Sequence, residues 1–133
     1  GEALVVSKMA GMDMNTAYEA IRISSGNSFV HETESQVILN GSYDINFTMD
    51  LVKKDMGLFA DIAKREGCDL ELSPAVFGIF EDAAAKFGER AWSSMVVKHL
   101  EDHAGVAIRG MGFPAQMKDD EEEVPGAEVM VRR

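Results

Sequence analysis

Glycines punctuate this chain at helical intervals while proline is scarce, and that pattern constrains the fold more than any other feature. Gly11, Gly67, Gly88 and Gly105 each follow an apolar periodic stretch, where a residue without Cβ can take the left-handed conformation that ends a helix. Only 3 prolines interrupt the sequence, at Pro74, Pro114 and Pro125. Reading between the stops predicts six helices, over residues 2–9, 14–24, 29–39, 47–66, 74–87 and 92–104. Asp13 is the expected cap of the second, and Ser73 that of the fifth, with Pro74 in its tolerant first turn. Asn40-Gly41-Ser42 breaks the chain after the third. No apolar–polar alternation is long enough for a sheet, VMVR near the end being the one candidate. The expectation is an all-α bundle of about six helices with the long fourth helix at its centre.

At 133 residues and 46% hydrophobic content there is enough apolar surface for one core and too little chain for two. The expected division is a helical domain over residues 1–105 and an acidic irregular tail over 106–133, which carries the block Asp119–Glu123 and is expected to lie against a surface, its own or a partner's. With 13 Lys plus Arg against 23 Asp plus Glu, the net charge of −10 disfavours nucleic acid and anionic membrane surfaces as partners. No apolar run reaches the roughly 20 residues of a membrane span. The lone Cys68 forms no intrachain disulfide, which suits a cytoplasmic setting. The first helix starts without a cap, and its stripe of Leu4, Val5 and Met9 reads like the end of a longer helix. The expectation is a piece of a larger protein, with that stripe seeking a second copy in a homo-oligomer, most simply a dimer.

Chemistry-bearing patterns are few. No glycine-rich phosphate loop joins a strand to a helix. Cys68 reads as a small hydrophobe at a helix end and not a nucleophile. His99 and His103 are four apart and share a helix face, but the spacing of HLEDH is not that of the zinc signature, so no metal ligands are assigned. The long helix is more informative. At about 100° per residue, Phe47, Leu51, Val52, Met56, Leu58, Phe59, Ile62 and Ala63 form one broad apolar arc, and Asp50, Lys53, Gly57, Asp61 and Lys64 fall opposite. Asp55 points near the middle of the apolar arc, and Lys54 lies just past its edge. A carboxylate there must meet a buried partner, water or a ligand.

The stretch Phe47-Thr48-Met49-Asp50-Leu51-Val52-Lys53-Lys54-Asp55-Met56-Gly57-Leu58 resembles the F-x-x-x-L-x-x-K-D-x-x-L run in the C-terminal domain of the β-hydroxyacid dehydrogenase family, which includes 3-hydroxyisobutyrate dehydrogenase and tartronate semialdehyde reductase, with 6-phosphogluconate dehydrogenase more distant. EALVVSKMAGMDMNTAYEAI, SSGNSF and WSSMVVKHLED extend the likeness over roughly residues 2–105. The resemblance implies a parent that uses NAD or NADP to oxidise or reduce a small hydroxy acid or semialdehyde. It implies that Lys54 reaches the nicotinamide cofactor and that Phe47 and Asp55 border the active-site cleft. The family's Rossmann domain, its Ser/Gly-rich substrate loop and its catalytic lysine are not found in this sequence, so no catalytic residue is assigned and no stable cofactor binding by this chain alone is expected. Ala91 departs from an aspartate common in relatives, which implies a weaker cap on the last helix. The alternative is a non-catalytic helical oligomerisation or interaction module that kept the domain and lost the chemistry.

Overall fold

In a computed structural model, which describes residues 1–117, the glycine stops and apolar stretches become six helices: α1 (Glu2–Met9), α2 (Met14–Arg22), α3 (Phe29–Asn40), α4 (Met49–Arg65), α5 (Leu72–Phe87) and α6 (Met95–Ala104). The described residues hold no strand, only an isolated antiparallel bridge between Thr48 and Trp92. The VMVR segment and the Asp119–Glu123 block lie outside the described residues. Asp13 caps α2 by accepting from the Thr16 N–H at 2.9 Å, and Ser28 caps α3 through the His31 N–H at 3.0 Å. The expected cap at Ser73 is not used. α5 starts one residue before it, after Glu71, with no side-chain cap; Pro74 still falls in the first turn, where a missing N–H leaves no intrahelical bond unmade. Ser94, at the start of α6, donates its hydroxyl to the Tyr43 carbonyl at 2.6 Å instead of capping its own helix.

Two apolar clusters hold the helices. The larger joins Leu4 and Val5 of α1, Met14, Ala17 and Tyr18 of α2, Ile38 and Leu39 of α3, Val97 of α6, and Tyr43 and Ile108 from irregular segments. Each large side chain fully removed from water there contributes about 1.5–3 kcal/mol. Leu4 and Val5 are thus consumed inside the chain, so the stripe expected to seek a second copy does not exist as a surface; Val6 and Met9 are the exposed apolar groups of α1. The smaller cluster joins Met49 of α4 to Ala83 and Ala84 of α5, where small side chains let the two helices approach. α4 is the longest helix, as expected, but it packs chiefly on α5 at one side of the bundle and not at its centre, because only Met49 and Ala63 along it are buried.

The packed body continues past residue 105. Gly105, at φ 66°, turns the chain back, and Ile108 becomes completely buried. Its backbone N–H donates to Glu101 at 2.8 Å, and the Gly110 N–H donates to the Leu39 carbonyl at 3.1 Å. Asn15 holds Met111 twice, through its amide N–H to the carbonyl at 2.8 Å and by accepting the Met111 N–H at 2.9 Å. Glu101 itself is 1% exposed. It also accepts from the Tyr43 hydroxyl and from Arg109, whose Nη1 lies at 2.6 Å. Arg109 passes so close to Gly41 that a Cβ there would sit 2.5 Å from its Nε, and Gly41 also needs its φ of 93° to close α3.

A buried carboxylate with three donors is destructive to remove, since each donor then loses its partner in a dry setting. Replacing Glu101 by Ala is expected to lower the unfolding free energy by about 3–5 kcal/mol, measured by urea denaturation, whereas Glu81→Ala on the exposed side of α5 should change it by less than about 0.5 kcal/mol.

Candidate functional site

The start of α4 is fixed by the loop that precedes α6. The Met49 N–H donates to Ala91 at 2.9 Å, the Asp50 N–H to Glu89 at 3.0 Å, and the Ser93 N–H to Phe47 at 2.8 Å. Thr48 donates its hydroxyl to Asp50, Arg90 pairs with Asp50 at 3.0 Å, and Lys53 pairs with Glu89 at 2.8 Å. These bonds pin Phe47 and the first two turns of α4 as one unit. The polar face read from the sequence therefore serves partly to hold the helix, with Asp50 and Lys53 tied to the 88–94 loop.

The apolar arc of α4 splits in two. Val52, Met56 and Ala63 face inward, whereas Leu58, Phe59 and Ile62 are 56%, 53% and 51% exposed. Asp55 belongs to the outer half. It is not buried: it pairs with Lys54 at 2.9 Å, and both side chains are more than half exposed. The carboxylate that looked anomalous in the arc thus stands in solvent among apolar side chains that no described residue covers.

Phe47 lies elsewhere. With Val52 it lines a cleft of 350 Å³ between α3, α5 and the start of α6, together with Val30, Phe80, Ser93 and Glu34. Neither Lys54 nor Asp55 lines that cleft. The structure therefore joins Phe47 to the α3 side and leaves the Lys54–Asp55 pair on the outward surface, one helical turn beyond Val52.

Glu34 was not singled out by sequence reasoning, although a signal was present. Val30, Glu34 and Ile38 are spaced by four and form one stripe of α3, so the helix turn alone places this carboxylate on an apolar line. Burial pushes its carboxyl above the usual carboxylate range, with no hydrogen bond opposing the effect. His31, one turn earlier, is buried between the Tyr18 carbonyl and the Ser35 hydroxyl, each 3.0 Å from a ring nitrogen, and is a strut between α2 and α3.

The remaining sequence candidates do not converge on chemistry. His99 and His103 stack edge to face with ring centroids 4.3 Å apart, and His99 Nδ1 is buried without a partner. Among the described residues no group of three or more His, Cys, Asp or Glu side chains is placed to hold a metal ion. Cys68 is exposed just past α4 and is not a packed hydrophobe. Asp102 bridges α5 and α6 by hydrogen bonds from Lys86 and Lys98, which pull its carboxyl down to about 2.

Comparison with known proteins covers most of the chain. Residues 1–100 match the family described as the NAD-binding domain of NADP-dependent 3-hydroxyisobutyrate dehydrogenase. The chain is 34% identical over 110 residues to 2-(hydroxymethyl)glutarate dehydrogenase of Eubacterium barkeri, a match covering 82% of this chain and 36% of that one. It is 28% identical to L-threonate dehydrogenase of Escherichia coli K12, over 71% of this chain and 32% of that one. A crystal structure of 3-hydroxyisobutyrate dehydrogenase from Salmonella typhimurium superposes with a TM-score of 0.68 at 28% identity, covering 74% of this chain and 34% of that one. The chain thus spans about a third of the length of the curated relatives it matches.

Because Asp55 is solvated and paired only with its neighbour, Asp55→Ala is expected to shift the thermal midpoint of this chain by no more than a surface substitution does, about 0.5 kcal/mol or less in stability. A loss of several kcal/mol in calorimetry would mean the carboxylate is structural.

Proposed function

Since this chain belongs to the NADP-dependent 3-hydroxyisobutyrate dehydrogenase family, we propose that it supplies the helical half of an NAD(P)-dependent oxidoreductase acting on a small hydroxy acid or its semialdehyde. The observation that carries this reading is the pinned stretch from Phe47 to Leu58, which presents a lysine–aspartate pair on an apolar helix face left open by the rest of the chain. The relatives named above are dehydrogenases of L-threonate and of 2-(hydroxymethyl)glutarate, both hydroxy acids, which supports the substrate class. Residues 1–105 form the helical domain in this reading, and 106–133 its acidic extension.

The residues at this face suit a nicotinamide cofactor. Lys54 offers three donors and a positive charge on a flexible stem, already oriented by Asp55, while Leu58 and Phe59 beside the pair give flat apolar surface. The cofactor, when bound, supplies or accepts the hydride. Lys54 would hold it from the helical side, Asp55 would fix the direction of the lysine, and Phe47 would exclude water from the neighbouring cleft. No group among the described residues is assigned as the acid or base for the alcohol proton. Hydride transfer therefore requires a nucleotide-binding partner half, and this chain assayed by itself is expected to be inactive.

Self-association as a homodimer belongs to the same proposal. Val6 and Met9 on α1 and Met12 after it are 64%, 62% and 46% exposed, and a cluster of that kind on a helical surface supports a protein contact. A cytoplasmic setting is proposed with it, supported by a single exposed cysteine without a disulfide partner. No helix among the described residues is long and apolar enough to cross a membrane.

In an enzyme that joins this domain to its nucleotide-binding half, Lys54→Ala is expected to raise the cofactor KM about tenfold, the loss of one charge-assisted contact worth about 1.5 kcal/mol. Lys53→Ala, which breaks only the contact to Glu89, should leave cofactor kinetics unchanged; equal kinetics for the two variants would refute the assignment of Lys54. Sedimentation equilibrium of this chain at micromolar concentration should give a dimer, weakened when Val6 and Met9 are both changed to Ser.

A further inference from the structure

The cleft beside Phe47 contains a charge that nothing in the fold uses. Glu34 makes no hydrogen bond or ion pair with any described residue, and it is the sole charged side chain lining the 350 Å³ space. The amino group of Gly1 also borders the cleft but forms no ion pair with it. Val30, Phe47, Val52 and Phe80 give the walls. Ser93 is 6% exposed, lines the same space and makes no side-chain hydrogen bond among the described residues. Its neighbours have their hydroxyls occupied, Ser94 by the Tyr43 carbonyl and Ser35 by His31. A carboxylate and a hydroxyl left free in apolar surroundings are unfavourable unless a ligand satisfies them.

We propose that this cleft binds a small ligand with a primary ammonium on a short apolar stem, Glu34 accepting from the ammonium and Ser93 providing a second polar anchor. The chemistry follows from the lining. A carboxylate among aliphatic and aromatic walls attracts a cation and repels a second carboxylate, and the volume suits a stem of a few carbons. Resting on the reading of Phe47 as an active-site residue, the ligand is the end of the substrate remote from the reacting carbinol, so the hydroxy acid preferred would carry an amino group there in place of a second carboxylate. Specificity of this kind is large, because the wrong end group leaves a buried charge unpaired.

The probe is n-butylammonium, compared with n-butanol and n-butyrate, titrated into the 133-residue chain and followed by methyl NMR. Butylammonium is expected to shift the Val30 and Val52 methyl signals and to bind at least tenfold more tightly than butanol, with butyrate giving no shift. Glu34→Gln should reduce butylammonium to the level of butanol, and Glu34→Asp, which keeps the charge but withdraws it by one methylene, should weaken it less; Glu81→Gln should change nothing. Equal binding of the three probes, no shift in the cleft, or indifference to both Glu34 variants would overturn the site. Butylammonium binding together with indifferent cofactor kinetics at Lys54 would overturn the link to a dehydrogenase substrate, so the two failures are separable.

Discussion

The buried carboxylate of Glu101 is the interaction on which the rest of the molecule depends. It accepts from a phenol in the 41–48 connection, from a backbone N–H past the last helix and from a guanidinium, and so ties three pieces of chain distant in sequence to one point on α6. Burial and the bond to Glu101 both raise the Tyr43 hydroxyl above its usual value, so it remains a donor throughout the working range. Tyr43 takes a left-handed φ of 55°, which a bulky residue adopts only when its surroundings enforce it. The enforcement comes from both ends, with Glu101 on the hydroxyl and Ser94 on the carbonyl. Four residues later stands Phe47, so the position of the cleft wall is inherited from a hydrogen bond made in the core.

Much of this architecture was legible because it rests on local rules. Left-handed glycines and the aspartate before Met14 act within four or five residues, and the helix bounds they imply at Met9, Phe87 and Ala104 are those observed. What periodicity could not resolve was which half of a broad apolar arc is covered. Leu58 and Met56 look alike along the chain, yet one is exposed and the other turned inward, because coverage depends on where α5 lands. The same limit hid Ile108. Its segment reads as a glycine-rich, proline-flanked run, and its burial follows from a contact with Glu101 that no local pattern announces.

The candidate site divides in a similar way. Lys54, Asp55 and Phe47 were found by likeness to a motif, and helix geometry independently marked Asp55 as out of place. The structure resolves the anomaly by leaving that part of the arc uncovered instead of by supplying a buried partner. Glu34 sits on the line between Val30 and Ile38 and carries the same kind of anomaly without the motif to draw attention to it. A carboxylate on an apolar stripe is therefore worth weighing wherever it falls, since either solvent, a partner or a ligand must account for it.

The manner in which α4 is attached has a mechanical consequence. Its first turn is bonded to the 88–94 loop, while its far end, the 66–71 turn and the start of α5 stand largely in solvent. Seventeen residues at 1.5 Å each make a beam about 25 Å long, clamped at its root. In a cantilever, deflection grows with distance from the clamp, so thermal bending is smallest at Phe47 and Lys54 and largest near Cys68. Residues that must meet a ligand to within a fraction of an ångström stand at the stiff end, and insertions or exchanges at the tip leave their position untouched.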